Sequence, residues 1–159
     1  MKPRVYVETS VLSYLTASPT RDLVQAAHQH ITIEWWSCRT RFELAISEAV
    51  LAEVSRGDPE AANRRLAVAA ELAVLATTVE AQSLARQLLA ASVMPPNAAI
   101  DAAHVAIATV HGMNFLLTWN CAHIANAVMR ERIEAVCRRA GFRPPVICTP
   151  EELMLLEDS

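Results

Sequence analysis

Glycine and lysine are scarce in this chain of 159 residues, and their scarcity excludes several kinds of functional site. The 3 glycines lie far apart, so the chain has no GxGxxG motif or other glycine-rich phosphate loop. Lys2 is the only lysine, and all the other basic residues are arginines. Chemistry that needs a buried lysine, such as a Schiff base or a Walker A phosphate clamp, is therefore almost excluded.

Paired cysteines and long apolar runs are also missing. The 4 cysteines show no CxxC spacing, which favours buried or idle thiols over a zinc site or a disulfide framework. No apolar run reaches the roughly 20 residues that span a membrane. The N-terminus passes into a strand-like run without a signal-peptide pattern, so we expect a cytoplasmic protein that does not bind a membrane.

The composition that remains is that of a globular protein, with 53% hydrophobic and 19% charged residues. The length fits one domain, so we expect residues 1–159 to form a single domain with a substantial core. The net charge of −3 gives no indication of a nucleic-acid binder. Any surface that binds RNA would therefore depend on a local cluster of basic residues.

Short β-like runs alternate with helical segments along the chain. The predicted strands are residues 4–7, 42–46, 72–75, 115–118 and 146–148. The predicted helices are residues 10–15, 20–36, 48–55, 59–70, 79–91, 98–110 and 126–140, the first of them capped by Thr9 or Ser10. This alternation predicts an α/β fold whose mostly parallel sheet is covered on both faces, with ligands at the carboxyl ends of the strands.

Four acidic or amide side chains lie at the edges of the most apolar segments. Glu8 and Asn120 each follow a strand, Asp101 falls in the first turn of its helix, and Glu53 falls in mid-helix after a strand. A carboxylate among core residues costs several kcal/mol unless something pairs with it. Because no cation is near these residues in the sequence, converging carboxylates here suggest a bound metal ion.

Each of these residues also has an ordinary structural interpretation. Glu8 could be a strand-end acid that faces water, Asp101 a helix N-terminal acid satisfied by backbone amides, and Asn120 a cap for the next turn. His104 lies one turn after Asp101 and could pair with it, but we favour a structural or supporting role. His123 is expected to pack or to contact RNA and not to bind the metal.

Glu48 and Glu53 compete for the helical position of the site. Dipole complementarity in the first turn of the helix explains Glu48, so Glu53 is the preferred ligand. Oxygen-only donors select a hard cation, Mg²⁺ or Mn²⁺. Such an ion activates water for in-line attack on a phosphodiester.

Arginines are the candidates for phosphate contact, since they bind phosphate in a bidentate manner and also stack on bases. An equally good interpretation is a set of solvated helix faces. The candidates are Arg39, Arg41, Arg64, Arg65, Arg130, Arg132, Arg138, Arg139 and Arg143. Trp35 and Trp36 could stack on bases, but burial in the core or in a dimer interface is the preferred interpretation.

Four segments together resemble the PIN-domain family, in its VapC-like toxin branch. The segments are Val5-Tyr6-Val7-Glu8-Thr9-Ser10-Val11-Leu12, Ile46-Ser47-Glu48-Ala49-Val50-Leu51-Ala52-Glu53-Val54, Asp101-Ala102-Ala103-His104-Val105-Ala106-Ile107-Ala108 and Leu116-Leu117-Thr118-Trp119-Asn120. The resemblance covers nearly the whole chain and implies a three-layer α/β/α sandwich, Mg²⁺- or Mn²⁺-dependent RNA cleavage, homodimers and inhibition by a cognate antitoxin.

The resemblance also implies roles for the four residues at the edges of the apolar segments. Glu8, Glu53, Asp101 and Asn120 occupy the catalytic positions of the family, and the first three of them would bind the metal. Glu8 stands where the family usually has aspartate, and Asn120 stands where aspartate is frequent. The longer side chain at position 8 shifts any ion, and the neutral amide at position 120 weakens a second metal position.

Two alternative functions remain open. One is a catalytically weak PIN fold that binds RNA or a protein without efficient cleavage. The other is a receiver-like signalling domain, which also has an acidic magnesium pocket in an α/β fold. A receiver needs a phosphoacceptor aspartate at a mid-chain strand end and a late lysine, and the sequence has neither.

Overall fold

The computed structural model describes residues 1–91 and 93–154. The strands are β1 (Arg4–Val7), β2 (Glu43–Ser47), β3 (Ala73–Leu75), β4 (Phe115–Leu117) and β5 (Val146–Cys148). The helices are α1 (Thr9–Thr16), α2 (Leu23–Ser37), α3 (Glu48–Val54), α4 (Pro59–Ala69), α5 (Val79–Ala90), α6 (Ala99–Val110), α7 (Ala127–Arg139) and α8 (Pro150–Met154). Short 3-10 turns at Arg39–Arg41 and Pro96–Ala98 precede β2 and α6.

The five strands form one parallel sheet in the order β3-β2-β1-β4-β5. The strand β1 lies in the centre, where Tyr6 pairs in register with Ala45 of β2 and Leu116 of β4. The chain moves outward in one direction through β2 and β3 and then in the other through β4 and β5. The connection after β1 and the connection after β4 lead in opposite directions, so a crevice forms between the carboxyl ends of these two strands. A crevice of this kind is the usual ligand site of an open parallel sheet.

The predicted α/β architecture and the parallel sheet are confirmed, and each strand boundary lies within one residue of its prediction. The prediction worked because β1 and its neighbours are buried on both faces and therefore appear as continuous apolar runs. Val5, Tyr6 and Val7 are all fully buried. Burial of an apolar side chain of this size contributes about 1.5–3 kcal/mol.

The starts of α1 and α2 differ from the prediction because of capping. The cap of α1 is Glu8 and not Thr9 or Ser10, since the Glu8 carboxylate accepts a hydrogen bond from the Ser10 backbone amide. The helix α2 begins at Leu23 and not at residue 20, because the Asp22 carboxylate accepts a hydrogen bond from the amide of Gln25. A side-chain acceptor at this position satisfies an amide that has no partner within the helix.

The short helix α8 was not predicted, although its sequence carries a recognisable signal. The Thr149 hydroxyl accepts a hydrogen bond from the Glu152 amide, and the Glu152 carboxylate accepts one from the Thr149 amide. This reciprocal pair is a capping box, with Pro150 at the first helical position. Across residues 1–91 and 93–154, no helix is both long and apolar enough to cross a membrane.

Candidate functional site

Glu8 lies at the carboxyl end of the central strand and is only 4% exposed. Its Oε1 accepts hydrogen bonds from the hydroxyls of Ser10 and Thr118, each at 2.5 Å, and its Oε2 accepts one from the Ser10 amide at 3.1 Å. All of these donors are neutral. A buried carboxylate held only by neutral donors is unusual, because burial of an unpaired charge is costly.

Glu53 reaches the same place from the last turn of α3, and not from mid-helix as the sequence indicated, because α3 ends at Val54. Its Oε1 accepts hydrogen bonds from the Thr9 hydroxyl at 2.6 Å and from His104 Nε2 at 2.5 Å. In the part of the chain that the structure describes, no donor contacts Oε2. One oxygen of Glu53 is therefore anchored, and the other is available to a ligand.

The environment of Glu53 acts on its pKa in two directions. Burial of the carboxylate raises the pKa, whereas the hydrogen bonds from His104 and Thr9 and the positive charge of Arg56 lower it. The net effect is a pKa below the ordinary value of 4.5. Glu53 is therefore ionised at neutral pH and carries a full negative charge beside Glu8.

Glu8, Glu53 and His104 form a cluster in which one ligand atom of each residue lies within 4.8 Å of the others. His104 is fully buried, and its other nitrogen, Nδ1, lies 2.6 Å from the Tyr6 hydroxyl. Two carboxylates at this separation repel each other strongly in a partly buried site. The donor set therefore fits a divalent cation, which would neutralise both charges.

Asp101 is not a member of this three-residue cluster, although it lies in the first turn of α6 as predicted. Its Oδ1 accepts a hydrogen bond from the Asn120 side-chain amide at 3.0 Å, and its Oδ2 lies 2.8 Å from His123 Nδ1. The alternative of an acid satisfied by backbone amides does not apply, because side chains satisfy both oxygens. His123, expected to pack or to contact RNA, contacts Asp101.

Asn120 connects the Asp101 pair to the Glu8 cluster. Its side chain binds Asp101, while its backbone amide donates to the Thr118 hydroxyl at 2.9 Å, which in turn donates to Glu8. The Asn120 carbonyl oxygen Oδ1 also accepts a hydrogen bond from the amide of His123. Asn120 thus caps the turn that follows it and also contacts Asp101. Glu8, Glu53, Asp101 and Asn120 belong to two hydrogen-bonded groups at one edge of the sheet.

Trp119 fixes the loop that carries Asn120. Its indole ring stacks on His28 with 4.0 Å between ring centroids, and its Nε1 donates to the Thr32 hydroxyl at 2.8 Å. Both of these partners lie on α2, so this helix anchors the loop after β4. A well-anchored loop places its polar side chains reproducibly, as a binding site requires.

Glu48 does not contact the site. Its Oε2 accepts a hydrogen bond from the backbone amide of Thr77, which joins the first turn of α3 to the loop after β3. The preference for Glu53 over Glu48 was based on dipole complementarity and on the different helix faces that the two residues occupy. The structure gives Glu48 a structural partner of its own, and it makes Glu48 a matched control for Glu53.

Several of the arginines proposed for phosphate contact bind the protein itself. Arg64 donates to the Thr16 carbonyl, and Arg65 donates to the carbonyls of Val54 and Arg56. Arg130 donates to two backbone carbonyls, and Arg39 lies over the ring of Trp36. Trp35 is fully buried, which confirms the core interpretation for that residue. These contacts favour structural roles for the arginines concerned.

The contacts of His104 with Tyr6 and Glu53 were not predicted. Tyr6 lies in the apolar run of β1, and Ser47 is the cap of α3. A buried tyrosine hydroxyl usually requires a hydrogen-bond partner, and this requirement was the available signal. The Tyr6 hydroxyl lies 2.7 Å from Ser47 Oγ and 2.6 Å from His104, so it links β2 to α6 beneath the cluster.

Solved structures share this fold at low sequence identity, whereas no family model and no curated protein matches the chain. One similar structure is Mycobacterium tuberculosis VapC20, described as a Sarcin-Ricin loop cleaving toxin. It aligns with a TM-score of 0.60 and 17% identity over 75% of this chain and 92% of its own. Another is VapBC2 from Rickettsia felis, bound to a DNA fragment from its promoter. Its TM-score is 0.55, with 15% identity over 92% of this chain and 98% of its own.

These alignments agree with the element order and the parallel sheet described above, and at such identities they concern the fold alone. The resemblance seen in the sequence is therefore confirmed at the level of tertiary structure. The chain has the PIN-like α/β/α fold of VapC proteins.

Proposed function

We propose that this protein is a metal-dependent endoribonuclease and the toxin of a toxin–antitoxin pair. The observation that carries the proposal is the cluster of Glu8 and Glu53, with ligand atoms within 4.8 Å of each other at the sheet edge. The same fold supports RNA cleavage in VapC20, which is described as a Sarcin-Ricin loop cleaving toxin. A receiver-like domain is not supported, because the sequence lacks its aspartate and lysine.

We assign Glu8 and Glu53 as the principal ligands of a divalent cation, with Asp101 as the third. Both Asp101 oxygens already accept hydrogen bonds, yet each carboxylate oxygen has a further lone pair available for a ligand. A bound cation would supply an activated water and stabilise the charge on the leaving oxygen. Asn120 orients Asp101, and Thr118 orients Glu8.

We infer that the cation is Mg²⁺ or Mn²⁺. Carboxylate oxygens are hard donors, and hard donors prefer these two ions. The protein could also bind RNA or a protein without cleaving it, but the buried Glu8 carboxylate, whose hydrogen-bond donors are all neutral, favours the enzyme. A cognate antitoxin, a homodimer and a cytoplasmic location remain predictions, as does the assignment of residues 1–159 to one domain. The VapBC2 complex from Rickettsia felis supports the first of these.

Cleavage of RNA oligomers by the purified protein tests the proposal. We expect cleavage with Mg²⁺ or Mn²⁺ and none with a chelator, and Glu8→Gln should reduce the rate by at least about 100-fold. Glu48→Gln is the matched control, because Glu48 contacts Thr77 and not the cluster. Absence of cleavage with both metals, on several RNA sequences, would instead indicate a module that only binds.

A further inference from the structure

A chain of buried polar groups runs beneath the carboxylate cluster. Ser47 Oγ lies 2.7 Å from the Tyr6 hydroxyl, which lies 2.6 Å from His104 Nδ1, and His104 Nε2 lies 2.5 Å from Glu53 Oε1. Ser47, Tyr6 and His104 are each fully buried. These groups come from β2, β1 and α6, so the chain of hydrogen bonds connects three elements to the anchored oxygen of Glu53 on α3.

The hydrogen-bond partners decide which atom of His104 carries a proton. Glu53 Oε1 accepts a hydrogen bond from the Thr9 hydroxyl at 2.6 Å, so this oxygen is an acceptor, and the His104 nitrogen that faces it at 2.5 Å is the donor. The Tyr6 hydroxyl can either donate to Nδ1 or accept from it. In both arrangements Nε2 carries its proton toward Glu53, and that nitrogen has no lone pair for a cation.

We propose that His104 is a positioning residue and not a metal ligand, although one of its ring nitrogens lies within 4.8 Å of a carboxylate oxygen of Glu8 and of Glu53. It fixes Glu53 through Oε1, and Oε2 remains available for a cation. The cluster consequently presents oxygen atoms alone, and it selects a hard divalent cation over one that prefers nitrogen. The inference rests on the proposed function, because it concerns the cation of that site.

The structure also indicates why histidine is suited to this position. The ring uses both nitrogens, one for Glu53 and one for Tyr6, and it packs edge-on against the Tyr6 ring with 5.8 Å between centroids. Its orientation is therefore determined on both sides. Partners that orient metal-binding carboxylates in this way typically affect metal affinity by about 10- to 100-fold.

Pulsed electron paramagnetic resonance of the protein loaded with Mn²⁺ tests the assignment directly. In the wild-type protein we expect no hyperfine coupling between Mn²⁺ and nitrogen of the size that a directly bound histidine gives. Comparison of protein with ¹⁵N-labelled and unlabelled histidine assigns any coupling to histidine nitrogen. Such a coupling, absent in His104→Gln and retained in His30→Gln, would overturn the inference. His30 is a matched control because it is an exposed residue that pairs with Glu34 on α2.

Mn²⁺ affinities of two variants test the positioning role independently. His104→Gln keeps an N–H donor at about the reach of Nε2, so it should retain most of the affinity. His104→Ala removes the donor and should lose about 10- to 100-fold. Equal affinity in wild type and in a folded His104→Ala would overturn the role, and circular dichroism checks the fold of both variants.

The possible outcomes separate this inference from the proposed function. Binding of Mn²⁺ together with a bound-histidine signal that His104→Gln abolishes overturns the role of His104 and leaves the nuclease proposal in place. Failure of the wild-type protein to bind Mn²⁺ overturns both. If His104→Ala does not fold, the spectra of wild-type protein and His104→Gln still decide whether the nitrogen is a ligand.

Discussion

Replacement of Glu53 by glutamine should separate the structural contribution of this residue from its contribution to metal binding. This substitution removes the charge of Glu53 and leaves its hydrogen bonds in place. Both hydrogen bonds to Glu53 are accepted by Oε1, and a glutamine oxygen at the same place can accept them. The new amide would take the position of Oε2, where the described residues place no donor. The variant therefore changes the charge and preserves the packing.

The expected magnitudes follow from these contacts. Hydrogen bonds to a charged group contribute about 1.5–3 kcal/mol and neutral ones about 0.5–1.5 kcal/mol, so two weakened bonds cost about 2 kcal/mol. Relief of the repulsion from Glu8 offsets part of this cost. The pKa of Glu53 is lowered, which means that the fold favours the charged form. The metal-free variant should therefore be less stable than the wild type by about 1 kcal/mol.

The loss of metal-dependent stabilisation should be larger. A ligand at 100 times its Kd stabilises the native state by about 2.7 kcal/mol. For a domain of this size that corresponds to a rise in Tm of about 5–10 °C. We expect the wild type to show such a rise with Mn²⁺ and Glu53→Gln to show none at the same concentration.

Thermal unfolding with and without Mn²⁺ measures both effects, and Glu48→Gln is the control. Glu48 lies on the same helix, but its carboxylate accepts a hydrogen bond from Thr77, so this variant should keep the full response to Mn²⁺. A full Mn²⁺-dependent rise in Glu53→Gln would refute the assignment of Glu53 as a ligand. Loss of the rise in Glu48→Gln as well would show that the substitutions act through net charge alone.

Two further predictions concern pH and thiol reactivity. The metal-free stability difference between wild type and Glu53→Gln should be constant above pH 4.5 and should disappear as the pH falls through the depressed pKa of Glu53, because the protonated carboxyl resembles the amide. Urea unfolding at several pH values checks this, and a difference that grows in acid would contradict it. Alkylation of the native protein should modify the exposed Cys121 first, since burial raises the pKa of Cys148 to about 12 and also raises that of Cys137. Mass spectrometry identifies the modified thiols, and early modification of Cys148 would contradict the burial described here.

The sequence indicated the sheet more accurately than the helix ends. Strands of a parallel sheet are buried on both faces, so apolar runs such as Val5 to Val7 are visible without knowledge of their partners. Helix ends depend on which side chain caps them. Glu8 was considered as a metal ligand or as a strand-end acid that faces water, and its carboxylate also caps α1. The helix α8 was missed because its five residues carry too little periodicity, although its capping box was present.

The chemical class of the site was visible in the sequence because charged side chains among apolar neighbours need partners. On this ground we selected Glu8, Glu53, Asp101 and Asn120, and dipole complementarity at Glu48 made Glu53 the preferred ligand. The sequence does not indicate which of these residues come together. His104 was expected to have a supporting role, and pairing with Asp101 was one option, whereas it contacts Glu53 and Tyr6.

The sequence by itself determined the alternation of strands and helices, the scarcity of glycine and lysine, and the identity of the acidic residues. These follow from local periodicity and from composition, which do not depend on distant contacts. Only the tertiary structure decided that Glu8 and Glu53 share one cluster while Asp101 pairs with His123 and Asn120. The reason is physical, because residues separated by 19 to 44 positions in the sequence come within a few ångströms of each other only when the sheet order and the helix packing are fixed.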